Sequence, residues 1–282
     1  MSVVATTTAV RSGVSAGRIE IRQSLGSPQD IVGMLFIPAV LLVVAVFRRG
    51  SHIGGTSFSM GAATLVGLLG MTLAFNGVQA VAFNLLMERE DGTLLRAKAA
   101  PNGMVAYLIS KIIHSSVMSL ITVALLIVPG VLLFDEVSLS SVGAWLTLIW
   151  VLVLGLLATM PIGAILGSVL SSPRNISVVM FPLLVLFGIS GIFFPLSEAP
   201  VWLQWIAQVF PVYWLGLGMR SALLPDSFAA VEIGNSWRYA ETFLALGIWA
   251  VIGVVLAPKV LSRMARKESG SAVAERRKKA MQ

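Results

Sequence analysis

Few residues in this sequence could carry covalent chemistry. There are no cysteines and only two histidines, His52 and His114, so disulfides and thiolate metal sites are excluded and no His-Glu-x-x-His pair exists. No serine lies in a Gly-x-Ser-x-Gly elbow, and no Gly-x-x-x-x-Gly-Lys-Ser/Thr loop is present to cradle nucleotide phosphates. The polar chemistry that remains is the chemistry of contact. Residues 88–101, Glu-Arg-Glu-Asp-Gly-Thr-Leu-Leu-Arg-Ala-Lys-Ala-Ala-Pro, pack charge into a short helix-capable segment between two apolar runs. A loop joining two membrane spans needs only turn residues; this composition predicts a surface held by a soluble partner. Thr72, Asn76, Gln79 and Phe83 form a second set, recurring at helical spacing on one face. In hydrocarbon their polar atoms need partners, so this face turns to another helix or to a substrate path, and both readings stay open. Asn84 lies off that face and reads as a helix-interface residue. Lys111 reads as a snorkelling lysine and His114 as an end-of-helix residue.

The elements that position these sets are membrane helices. Of the 282 residues, 57% are hydrophobic and only 12% charged, against about 25% charged in an ordinary soluble domain. Apolar runs of membrane-spanning length recur, and the fold class is an all-α membrane protein with six transmembrane helices. The spans are expected at about residues 31–47, 58–87, 104–134, 141–170, 176–194 and 240–261. Glycines at 61, 67 and 70, and again at 155, 163 and 167, predict close helix packing. No cleavable signal peptide is expected, because the first apolar run is followed by Arg48-Arg49 and not by a small-residue cleavage site. Although the net charge is +7, eight of the twenty Lys and Arg lie at or after Lys259. That placement predicts a cytoplasmic anchor facing anionic lipid, with no nucleic-acid partner.

Between and beside the spans, residues 1–10 read as a disordered tail. From 11 to 28 the chain reads as an interfacial helix: Arg11, Arg18 and Arg22 share a line, with Val14, Ile21 and Leu25 alongside. Residues 195–223 carry Pro200, Pro211, Trp202, Trp205, Tyr213 and Trp214. They predict two short re-entrant helices on the outer side, the first capped by Ser197 or Glu198. The core domain then covers 11–262, and 263–282 is a basic cytoplasmic tail. With both termini inside, sixteen Lys and Arg fall on the cytoplasmic side and four (Arg48, Arg49, Arg220, Arg238) outside. The 88–101 segment is therefore cytoplasmic.

Glu88-Arg89-Glu90-x-Gly92-Thr93-Leu94, followed by Pro101 before an apolar span, resembles the cytoplasmic coupling loop of ABC type-2 permeases, and in particular the daunorubicin-resistance-like drug exporters. The N-terminal interfacial helix, the six spans and Gly191-Ile-Phe-Phe-Pro195 before two outer helices extend the similarity over nearly the whole chain. The resemblance implies a permease subunit of the plasma (inner) membrane. It would pair with a second permease copy, identical or not, and with two ABC ATPase subunits. ATP and Mg would belong to those partners, leaving this chain without a cofactor or enzymatic activity of its own. Glu88, Glu90, Gly92, Thr93, Leu94 and Arg96 would be the ATPase-coupling positions, and Ala97-Lys98-Ala99-Ala100 departs from the more apolar stretch of many relatives. Spans rich in Leu, Val, Ala and Gly, with only three tyrosines in the chain, favour an amphipathic drug-like or lipid-like substrate over a glycan. Two other readings compete: a proton-driven secondary transporter, which would need mid-membrane carboxylates that the spans lack, and a non-transporting immunity or scaffold protein.

Overall fold

The computed structural model describes residues 3–54, 56–170 and 176–267. Among them every regular element is helical. Helix α1 (Val3–Gly26) begins well before Arg11, so residues 3–10 are helical and do not belong to the expected disordered tail. The cause lies in its small residues. Ala9, Gly13 and Gly17 are spaced four apart and are buried, and a β-carbon on Gly13 would come within 2.6 Å of the Ala106 carbonyl on α5 (Gly103–Leu133). Arg11, Arg18 and Arg22 are all exposed, away from this seam.

Ser27 accepts a hydrogen bond from the Asp30 amide, and Pro28 opens α2 (Pro28–Phe47), a start that satisfies one of the helix's orphan donors. Most of α2 is apolar and exposed. The centre of the molecule is α3 (Met60–Asp91), the least apolar and the most buried of the membrane-length helices. Its glycines let four neighbours approach its backbone. Gly61 sits under the Ala45 carbonyl of α2, Gly67 under Ile192, and Gly77 against Thr159 of α6 (Val142–Val169). Gly70 meets Gly216 directly: a β-carbon there would lie 2.7 Å from the Gly216 amide nitrogen. The packing expected of the Gly155, Gly163 and Gly167 series is present too, with Gly163 and Gly167 facing the Val78 and Ala82 carbonyls of α3.

Past α3, a seven-residue helix α4 (Thr93–Ala99) precedes α5 (Gly103–Leu133). Among the described residues five helices are long and apolar enough to cross a membrane: α2, α3, α5, α6 and α10 (Tyr239–Lys267). The sixth expected span, 176–194, is not among them. There the chain forms the 14-residue α7 (Ile176–Ile189), which ends because the Ser190 hydroxyl bonds back to the Phe187 carbonyl and Gly191 turns left-handed at φ 73°. Arg174, counted above as cytoplasmic, and residues 268–282 of the expected tail lie outside the described residues. Residues 263–267 continue α10 and do not begin a separate tail.

The two short helices expected after Pro195 are α8 (Val201–Val209) and α9 (Pro211–Leu223). Pro200 itself is the N-cap of α8, and neither Ser197 nor Glu198 caps it. The Ser197 hydroxyl instead donates to the Val231 carbonyl at 2.7 Å. Every residue of α9 is buried, against α3, α6 and α10.

The backbone-to-backbone contact at Gly70 has no flexible side chain that can yield. Gly70→Ala should therefore lower thermal stability in detergent by about 2 kcal/mol, the usual cost of overpacking. Gly33→Ala on α2, where nothing lies within 4 Å of the added carbon, serves as the control and should not. Equal melting of the two variants and the parent would refute the seam.

Candidate functional site

The charged stretch is divided by Gly92, whose φ of 84° breaks α3 from α4. A residue with a β-carbon is strained at that angle, so the glycine sets the turn. The Asp91 carboxylate accepts the Thr93 amide at 2.7 Å, and the Arg96 guanidinium donates to the Thr93 hydroxyl at 3.0 Å. Leu94 is fully buried, in an apolar cluster with Leu85, Tyr107, Leu261 and Met264. Leu94 thus points into the protein, while Arg96, Lys98, Ala99, Ala100 and Pro101 are exposed. Asn102, at φ 54°, closes the segment and starts α5.

Glu88 does not face outward with them. At the last turns of α3 its carboxylate receives the Tyr107 hydroxyl and the Lys111 ammonium, both on α5. Lys111 also reaches Glu20 of α1 at 3.0 Å, and Glu20 accepts the Ser110 hydroxyl at 2.8 Å. One turn further along, Ser24 of α1 hydrogen-bonds the His114 ring at 3.0 Å. Lys111 and Glu88 have side chains only 15% and 16% exposed, so Lys111 does not snorkel to the surface as expected. It ties α1, α3 and α5 together at one point, and in low dielectric a triad of this kind resists separation. Arg89 anchors the other side, donating to the Gly167 and Leu170 carbonyls at the end of α6 at 3.2 and 2.8 Å. Glu90 is half-buried beside it.

The second set is split along its length. Thr72 is buried with its hydroxyl unpartnered, Asn76 and Gln79 are half-buried, and Phe83 is 40% exposed. The stripe therefore runs from the interior to the surface, and it does not join the charged segment.

Sequence reasoning missed the triad and the arginines at the opposite end. Each of the four arginines that ran against the charge trend has a fixed partner. Arg48 donates to the Phe193 carbonyl at 2.7 Å and to the Thr64 hydroxyl at 3.1 Å. Arg49 lies over the Phe134 ring. Arg220, 3% exposed, makes two bonds to Glu232 and reaches the Gly191 carbonyl at 3.4 Å. Arg238 bonds Gln208 and stacks over Trp214. Two of these arginines thus hold the turn at residues 191–193. For the triad a signal was present: Tyr107, Lys111 and His114 share a helix face, and Glu20 and Ser24 continue the Ala9, Gly13, Gly17 row.

Residues 55–258 match the family described as ABC-2 family transporter protein. The chain belongs to that family. Over 207 residues it is 24% identical to the probable doxorubicin resistance ABC transporter permease protein DrrC of Mycobacterium tuberculosis, in both strain CDC 1551 / Oshkosh and strain H37Rv, covering 72% of this chain and 74% of each relative. It is thus a multi-pass ABC-2 permease. In such transporters ATP hydrolysis belongs to a partner subunit, and permeases are generally paired. Helix α1, which precedes the matched residues, is joined to them through the Lys111 contacts to Glu20 and Glu88.

If Lys111 is the common tie, Lys111→Met leaves two partly buried carboxylates unpaired. The loss should be about 2–3 kcal/mol, somewhat below that of a fully buried pair. In a Glu20→Gln, Glu88→Gln background the same substitution should cost clearly less, and denaturation of the four proteins measures the coupling. Additive losses would dissolve the triad into independent contacts.

Proposed function

We propose that this chain is the permease subunit of an ATP-driven exporter of the plasma membrane, with both termini cytoplasmic. It pairs with a second permease chain and with two copies of an ABC ATPase, and it moves an amphipathic drug-like or lipid-like substrate outward. The observation that carries this reading is the geometry of α4: a short helix with its leucine buried, its basic side exposed, and its preceding turn fixed by Gly92. A partner ATPase would push on Arg96, Lys98 and the exposed Ala99–Pro101 corner. Glu88 acts behind that surface as a positioning residue, passing the movement through Lys111 to α1 and α5. Packed helices that shift as rigid bodies transmit displacement in this way. On α1, exposed Arg11, Arg18 and Arg22 face anionic headgroups, with Ile19 and Leu25 beside them.

Six membrane crossings fit the arrangement of the ends. Leu170 lies beside Arg89 at the α4 end of the molecule, whereas Tyr239 lines a cavity with Ser138 and Ser141 at the opposite end. Those positions support a further crossing between them through α7, where Phe187 packs on Phe75 and Ile192 on Gly67, a register antiparallel to α3. By the same register, α9 descends along α3 only as far as Pro211, near the level of Ala74. That supports α8 and α9 as a pair entering and leaving the outer half of the bilayer. Asn76 and Gln79, with Thr72 above and Phe83 below, then line the face toward the second permease and the substrate path.

Three measurements test this. In detergent pulldowns with its cognate ATPase, Arg96→Glu with Lys98→Glu should abolish ATPase retention while the permease stays folded; undiminished retention would remove α4 from the interface. In inverted vesicles, export should follow ATP and persist when the proton gradient is collapsed, and dependence on the gradient alone would revive the proton-driven alternative. Asn76→Leu with Gln79→Leu should change the relative export of different substrates with assembly intact. Loss of pairing with the second permease instead would make the stripe a helix interface.

A further inference from the structure

Midway along α3 lies a cavity of about 280 Å³ that coupling does not use. Ala74 and Val78 form its α3 wall, Ile162 its α6 side, Leu183 and Leu186 its α7 side, and Trp249 of α10 closes it beside Phe210. The lining is carbon almost throughout. Its one hydroxyl, Thr159, donates to the Gly155 carbonyl at 2.7 Å, and the Trp249 indole donates to the Val209 carbonyl at 2.9 Å. A water, a sugar, an ion or a headgroup would therefore find no partner inside.

Such a space excludes water and accepts apolar guests. Protein interiors rarely leave voids larger than a water molecule, and an engineered apolar cavity of about 150 Å³ already takes up benzene. The walls also lead outward. Next to Leu183 and Leu186, α7 exposes Phe181, Leu184 and Val185, and next to Trp249, α10 exposes Ile248 and Ile252. The cavity is thus bordered by residues that meet hydrocarbon. A helix from a second chain, roughly 10–12 Å across, is too wide for it. A polycyclic amphiphile would bring polar substituents that the lining cannot satisfy.

We propose that this cavity holds the alkyl chain of a membrane lipid, entering laterally between α7 and α10 while the headgroup stays outside. The site fills without an ATPase partner and does not depend on the direction of transport.

The test uses the full-length permease reconstituted in phosphatidylcholine vesicles that contain a phospholipid with a mid-chain diazirine. After irradiation, mass spectrometry maps the adducts. Adducts are expected on Ala74 or Val78, which are 1% and 3% exposed, as well as on exposed α2 residues such as Phe36 and Val43. Ala74→Leu and Leu186→Trp fill the cavity from opposite walls. Each variant that remains monodisperse should lose the inner adducts and keep those on α2. Labelling confined to exposed residues in the parent, or inner adducts that survive both substitutions, would overturn the proposal. So would inner adducts formed by a diazirine-bearing planar aromatic amine and not by the lipid, or disulfide cross-linking of Leu183→Cys between two copies.

Discussion

Everything in this permease is arranged around the closeness with which other backbones approach α3. Glycine at 61, 67, 70 and 77 removes the side chains that would hold α2, the 191–193 turn, α9 and α6 at ordinary helix spacing. In a bilayer, where the hydrophobic effect gives no preference for helix over lipid, dispersion at short range is what favours association. It also explains why α3 is both the least apolar and the most buried of the membrane-length helices. A helix enclosed by protein needs less hydrophobicity than one facing lipid, and it can carry Thr72, Asn76 and Gln79.

Charge is used differently at the two ends of this packed centre. At the α4 end, Glu20, Glu88 and Lys111 bind three helices together at one point. At the other end, Arg48 and Arg220 grip main-chain carbonyls of a turn, and Arg220 is itself neutralised by Glu232. The first arrangement joins separate helices through their side chains. The second fixes a segment where the chain leaves regular helix and its carbonyls would otherwise go unsatisfied.

Much of this was legible in the residues. Apolar runs gave the long helices, glycine spacing gave close helix packing without naming α3 and α6 as the pair, and paired prolines gave α8 and α9. Gly92, Thr93 and Leu94 marked the turn and the helix after it. The errors have physical causes. The start of α1 was misplaced because Ala9, Gly13 and Gly17 carry no amphipathic signal; small residues show a buried face only once their partner helix is known. Glu88 was read as an external contact because its partners, Tyr107 and Lys111, lie about twenty residues away on another helix. The length of α7 was overestimated because hydropathy continues through Ile192, Phe193 and Phe194 even though Gly191 has already reversed the backbone. Arg48 and Arg49 looked like exceptions to a charge rule that does not register arginines spent on tertiary structure.

The Gly70–Gly216 contact also bears on how the protein is made. On a ribosome α3 emerges about 140 residues before α9, and its other close partner, α6, comes in between. For that interval a helix with a bare glycine surface and three polar side chains waits in the membrane without the neighbours that would cover it. Chains interrupted before α9 would display that surface permanently. The same small residues that make the finished core tight therefore leave an unfinished molecule with its central helix uncovered.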